Sequence, residues 1–126
     1  MSGKKKILII DDEEDTSVYL STFFAENDFF VISAPDGKQG VEKAIREKPD
    51  IITLDISMPE ESGVKALREL QNGEKTKHIP IIIITGVASD FKRFIKSRKQ
   101  VHMPEGYFEK PIVRGLLLEK IKELLN

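Results

Sequence analysis

Acidic, hydroxyl and lysine side chains follow the short apolar runs of this sequence. Asp11 and Asp12 come after the first run and Asp55 follows another, while Thr85 and Lys110 follow two later runs. Carboxylates that share one crevice repel each other unless a cation lies among them or a proton is retained. Oxygen ligands without His or Cys favour Mg²⁺, with Mn²⁺ as a close substitute. An opposing ammonium and hydroxyl would complete what phosphoryl transfer requires of a protein.

The apolar runs themselves are predicted strands. Continuous β-branched stretches are typical of parallel strands covered on both faces, and they occur at 7–10, 51–54 and 81–84. Weaker strand candidates lie at 30–34 and 107–108. Side chains that follow parallel strands meet at one edge of a sheet, so the polar residues are expected to converge there.

Helical periodicity separates these strands. Helices are predicted over 14–27 and 38–48, around 64–70 with Asn72 and Gly73 at the end, over 88–99, and over 113–125. In the first helix Val18, Phe23 and Phe24 are expected to face inward. Strands that alternate with helices predict an α/β domain with a parallel sheet, right-handed crossovers and three layers.

Composition excludes several classes of function. A chain of 126 residues fits one domain, spanning 1–126, and the absence of Cys excludes thiol chemistry. With 20 basic and 21 acidic residues, direct binding to nucleic acid is not expected. The basic N-terminus precedes an apolar run too short for a signal or membrane segment, which predicts a cytoplasmic protein without membrane contact.

Together these motifs resemble the receiver domain of two-component response regulators over nearly the whole chain. The matching segments are Asp11-Asp12, the run from Asp55 to Gly63, Thr85-Gly86, and the run from Tyr107 to Pro111. The resemblance implies a flavodoxin-like (βα)5 doubly wound sheet of five parallel strands in the order 2-1-3-4-5. It also implies a signalling switch that assists its own phosphorylation and dephosphorylation and is not an enzyme.

The resemblance assigns the central pocket to phosphoryl transfer. Asp55 would be the phosphoacceptor, with Thr85 and Lys110 on the phosphoryl oxygens. Asp12, Asp55 and the backbone carbonyl of Ser57 would hold Mg²⁺, and Asp11 would help through water.

Further roles follow from the same resemblance. Thr85 and Tyr107 would form the switch, Ser57 and Val87 would tune the phosphoryl lifetime, and the Lys110–Pro111 bond would be cis. A histidine kinase, a phosphotransfer protein or a small acyl phosphate would be the donor. Output would pass to another protein or domain through the predicted helix 88–99, the last strand and the last helix, and phosphorylation-dependent dimerisation is a further expectation.

Three alternatives remain open. An aspartyl-phosphate hydrolase would need a second Asp two residues after the nucleophile, where this chain has Ser57, and it would need a cap domain. A flavodoxin-like cofactor carrier would need a phosphate loop where Asp11 and Asp12 stand. A degenerate receiver acting as a scaffold would not need the acidic and lysine positions to be intact. For each polar residue taken singly, a helix cap or a solvated charge is the simpler interpretation.

Overall fold

The computed structural model describes residues 4–58, 62–86 and 103–126. The strands are β1 Lys6–Ile10, β2 Phe30–Ala34, β3 Ile51–Asp55, β4 Ile81–Thr85 and β5 Gly106–Glu109. The helices are α1 Glu14–Glu26, α2 Gly37–Glu47, α3 Ser62–Asn72 and α4 Arg114–Leu125. Val87 and the predicted helix 88–99 lie outside the described residues.

All five strands form one parallel sheet in the order β2-β1-β3-β4-β5. This order confirms the predicted doubly wound, flavodoxin-like topology. The chain leaves β1 for β2 on one side and reaches β3 on the other, so the order reverses between β1 and β3. Side chains at the carboxyl ends of these two strands therefore border the crevice where such sheets bind ligands.

Alternate strand residues build two separate cores. Leu8, Ile10, Ile52 and Leu54 face a layer that contains α2 and α3, and Ile7, Ile9 and Ile51 face the layer of α1 and α4. Every residue of β3 and β4 is buried. This burial on both faces explains why the sequence runs of these strands are continuous rather than alternating.

The sequence misassigned some helical faces. Val18 is 57% exposed, although it was expected to face inward, and the buried residues of α1 are Leu20 and Phe24. Val18 lies two residues before Leu20, which places it about 200° away around the helix. Ile45 and Leu116 are likewise exposed, while Leu117 and Ile121 anchor α4.

Two threonines of the core differ in how their hydroxyls are satisfied. Thr53 is 1% exposed in the middle of β3, and its Oγ1 has no hydrogen-bond partner among the described residues. Thr76, equally buried, donates to the carbonyl of Leu70 at 2.8 Å. A buried hydroxyl without a partner costs free energy, whereas a bonded one contributes to stability.

We therefore expect Thr53→Val to raise the free energy of unfolding by about 1 kcal/mol, because it removes only an unsatisfied hydroxyl. The matched change Thr76→Val should lower it by about 1–3 kcal/mol, because the Leu70 carbonyl loses its donor. Urea denaturation of both variants measures the two changes in the free energy of unfolding. Equal losses in both would show that the Thr53 hydroxyl is satisfied in solution.

Candidate functional site

Backbone hydrogen bonds extend the sheet by one residue at each junction of the site. The amide of Asp11 donates to Ala34 at 3.1 Å, and the amide of Lys110 donates to Thr85 at 2.8 Å. Asp55 is the last residue of β3, and the next amide, that of Ile56, donates to Ile84 at 3.2 Å. These side chains are thus anchored to the sheet rather than carried on free loops.

The three aspartates form one cluster. Asp11, Asp12 and Asp55 each place a carboxylate oxygen within 4.8 Å of the others. Asp11 is 5% exposed and Asp55 is 3% exposed, whereas Asp12 is exposed. Two of the carboxylates are therefore held out of water, and the third borders solvent.

Asp55 presents two unlike oxygens. Its Oδ1 accepts hydrogen bonds from both the amide and the hydroxyl of Ser57, at 2.8 and 2.6 Å. Its Oδ2 faces the ammonium of Lys110 at 3.3 Å. The Ser57 contacts hold the carboxylate in place, so that Oδ2 points towards Lys110.

Lys110 reaches the cluster from the β5–α4 junction, and its bond to Pro111 is cis. Its Nζ lies 2.5 Å from Glu13, 3.3 Å from Asp55 and 3.7 Å from Asp11. Burial lowers the pKa of Lys110, but the hydrogen bond to Glu13 and the charges of Asp55 and Asp11 outweigh it, so the pKa lies above its ordinary value. The ammonium therefore stays charged at neutral pH.

The pKa of Asp11 is raised by its position in the cluster. Burial, together with the nearby charge of Asp55, raises the pKa of Asp11 from 3.8 to about 6. The amide of Glu13, which donates to its Oδ1 at 2.8 Å, and the charge of Lys110 oppose this rise without cancelling it. One lysine does not neutralise three carboxylates.

The donor set fits a hard divalent cation. All three clustered side chains offer carboxylate oxygens, at separations that one ion can span. A cation would offset both the burial and the repulsion by Asp55 that raise the pKa of Asp11. The acidic triad is consistent with a divalent metal site.

The two expected switch residues lie on neighbouring strands. Thr85 ends β4 and is fully buried, and register pairs it with Glu109 next to Lys110. Tyr107 lies in β5, packs against the layer of α2 and α3, and has a buried hydroxyl oxygen. Burial, followed by the charge of Glu109, raises the pKa of Tyr107. The ring thus points inward in this structure.

Sequence reasoning missed Glu13. This residue supplies the shortest ion pair of Lys110, although the two stand far apart in sequence. A signal was present, because Glu13 directly follows the acidic pair and so belongs to the same junction. Its carboxylate could equally have capped α1, which is why the sequence did not single it out.

Fold and site together define a doubly wound α/β domain. At the point where its strand order reverses, the domain holds an acidic pocket that could bind a cation, with a lysine beside it. The model of the response regulator receiver domain family matches residues 7–122. The chain belongs to this family, the receiver domains of two-component systems.

Individual relatives agree with this assignment. The chain is 32% identical to the protein PilH of Pseudomonas aeruginosa over 95% of this chain and 97% of PilH. It is 33% identical to the alkaline phosphatase synthesis transcriptional regulatory protein PhoP of Bacillus subtilis over 97% of this chain, yet it spans only 49% of that protein's length. A CheY-like receiver domain protein from Methanospirillum hungatei superimposes with a TM-score of 0.84 at 27% identity, covering 98% of this chain and 94% of that one.

Proposed function

We propose that this chain is a phosphorylation-activated switch in which Asp55 accepts a phosphoryl group beside Mg²⁺. The observation that carries the proposal is the position of Asp55: its buried carboxylate lies within 4.8 Å of the acidic pair and 3.3 Å from the ammonium of Lys110. Charge of both signs is thus available around one nucleophilic carboxylate. An arrangement of this kind supplies positioning and charge stabilisation, which phosphoryl transfer demands from a protein.

The proposed reaction forms one bond and breaks one. The Oδ2 of Asp55 attacks phosphorus, and the bond from phosphorus to the leaving group breaks with its electron pair remaining on that group. The leaving group is the imidazole nitrogen of a phosphohistidine, or acetate when acetyl phosphate is the donor. Lys110 and Thr85 are the proposed donors to the phosphoryl oxygens. Mg²⁺, when held by Asp11, Asp12 and Asp55 with the carbonyl of Ser57, would neutralise charge on the transferring group.

Membership in the family supports the proposed biological partners. The proposed donor is a histidine kinase or a phosphotransfer protein, and the proposed target is another protein or an output domain. The change would pass through Thr85 and Tyr107 to β5, α4 and the predicted helix 88–99. Ser57 and Val87 are the proposed positions that tune the phosphoryl lifetime. Within the described ranges no helix is long and apolar enough to cross a membrane.

Phosphorylation of intact protein tests the proposal. Wild type incubated with Mg²⁺ and acetyl phosphate should gain the mass of one phosphoryl group, while Asp55→Asn should gain none. Asp28→Asn is the matched control, because Asp28 is exposed in the α1–β2 turn and its φ of 69° is one that Asn tolerates. Unlabelled wild type, or labelling of Asp55→Asn equal to wild type, would contradict the assignment of Asp55.

A further inference from the structure

Glu13 stands at the N-cap position of α1 but does not cap it. Its side chain makes no hydrogen bond to the helix amides, although its φ of −90° and ψ of 109° suit a capping residue. By comparison, Asp36 at the N-cap of α2 accepts a hydrogen bond from the amide of Gln39 at 2.8 Å. The carboxylate of Glu13 is instead directed at Lys110, across the mouth of the pocket.

The contact places the lysine between two unequal partners. Glu13 is 60% exposed and lies 2.5 Å from Nζ, while Asp55 is 3% exposed and lies 3.3 Å away. The nearest partner of the ammonium is therefore the carboxylate at the rim rather than the nucleophile in the pocket. Glu13 also lies outside the cluster of carboxylates that could hold one cation.

We propose that Glu13 is a positioning residue that holds the Lys110 ammonium at the rim of the pocket and so opposes its movement onto a phosphoryl group on Asp55. This inference rests on the proposed function. A phosphoryl group adds anionic oxygens beyond Oδ2, and each competes with Glu13 for the same ammonium. The Glu13 contact favours the unphosphorylated state over the phosphorylated one by the free energy that is lost when the ammonium leaves Glu13 for the phosphoryl oxygens.

The size of the effect follows from exposure. A partly exposed ion pair contributes up to about 1 kcal/mol, which corresponds to an about fivefold change in an equilibrium constant. Removing the Glu13 carboxylate should therefore raise the affinity for beryllofluoride, a phosphoryl mimic, about two- to fivefold. The rate of labelling by acetyl phosphate should rise by a similar factor. The negative charge of Glu13 repels anions as well, so controls must separate charge from contact.

Three variants make this separation. Glu13→Gln removes the charge and the ion pair. Glu13→Asp keeps the charge but withdraws the carboxylate by one methylene, so it should behave like Glu13→Gln. Glu14→Gln removes an equal charge from the neighbouring exposed residue in the first turn of α1 and should behave like wild type.

Two measurements on the full chain decide the proposal. NMR of metal-free protein in chelator should show the ε-methylene signals of Lys110 shifted in Glu13→Gln and Glu13→Asp but unmoved in Glu14→Gln. NMR titration with beryllofluoride and Mg²⁺ should then give the two- to fivefold tighter binding for the same two variants. Melting curves establish that all variants are folded.

The outcomes are separable. Unchanged Lys110 signals and beryllofluoride affinity in Glu13→Gln would overturn the inference, as would weaker binding. Wild-type behaviour of Glu13→Asp, or an equal gain in Glu14→Gln, would show that charge alone acts and would overturn it too. A wild type that takes up neither beryllofluoride nor a phosphoryl group would instead overturn the proposed function.

Discussion

Replacing Asp11 with Asn is expected to stabilise the metal-free protein at pH 7 by about 1–3 kcal/mol. Asp11 is buried beside Asp55, and its pKa is raised from 3.8 to about 6. A carboxyl whose pKa is raised by folding prefers to be protonated in the folded state, so its ionisation at neutral pH costs stability. The amide is nearly isosteric and carries no charge, so it removes this cost.

The pH dependence gives the sign of the effect. Between pH 3.8 and about 6 the folded Asp11 retains a proton that the unfolded chain has lost, so the stability contributed by this group falls as pH rises through that window. The gain from Asp11→Asn should therefore be full above the window, smaller at pH 4.5 and absent below pH 3.8. Chemical denaturation in chelator at several pH values measures it, and a destabilised variant at pH 7 would contradict the raised pKa.

Mg²⁺ should narrow the difference in stability between the two proteins. A cation that binds only the folded state stabilises it by mass action, so wild type should gain stability with millimolar Mg²⁺ and Asp11→Asn should gain less. Asp12→Asn is the informative comparison, because Asp12 is exposed. It should lose the response to Mg²⁺ without the large gain in metal-free stability. Melting curves unaffected by Mg²⁺ in wild type would contradict a cation site in the acidic cluster.

Gly63→Ala is expected to destabilise the fold strongly. Gly63 is buried near the start of α3, and a Cβ at this position would press against the carbonyl oxygen of Asp55 and lie 2.6 Å from the Cα of Ile56. Backbone cannot yield as a flexible side chain does, so helix and strand must separate. We expect a loss of about 1–3 kcal/mol in the free energy of unfolding.

Phosphorylation should be slowed as well, because the displaced strand end carries Asp55, the proposed phosphoacceptor. A shift of Asp55 by a fraction of an ångström is expected to slow labelling by acetyl phosphate about tenfold. Gly115→Ala is the matched control: Gly115 is also the second residue of its helix, but a Cβ there meets nothing within 4 Å. It should be neutral or slightly stabilising, because Ala favours the helix. Equal effects of both substitutions would exclude the close approach as the cause.

The sequence predicted the strands and the convergence of the site because both depend on short-range pattern. The apolar runs at 7–10, 51–54 and 81–84 lie within the observed β1, β3 and β4. The convergence of Asp11, Asp12 and Asp55 follows from strand ends in a parallel sheet, which needs only the order of elements. The strand order thus follows from the sequence pattern together with the resemblance.

The helical faces and the rim of the pocket were harder to predict. Val18 and Leu116 are apolar yet exposed, and hydrophobicity alone did not distinguish them from Leu20 and Leu117. The pairing of Glu13 with Lys110 depends on the path of two loops and on the rotamers of two long side chains. Such contacts depend on side-chain positions to within less than an ångström, and the spacing of residues in the sequence does not specify these positions.

Burial of β1, β3 and β4 has a further consequence for timescale. Their amides lie in the interior of the sheet, where hydrogen exchange generally requires near-global opening, whereas an ion pair at the surface rearranges in nanoseconds. Asp55 ends such a strand and Asp11 directly follows one, while Glu13 contacts Lys110 at the rim. The proposed nucleophile and its acidic neighbour are thus anchored to strands that open slowly, whereas the ion pair between Glu13 and Lys110 at the rim rearranges quickly.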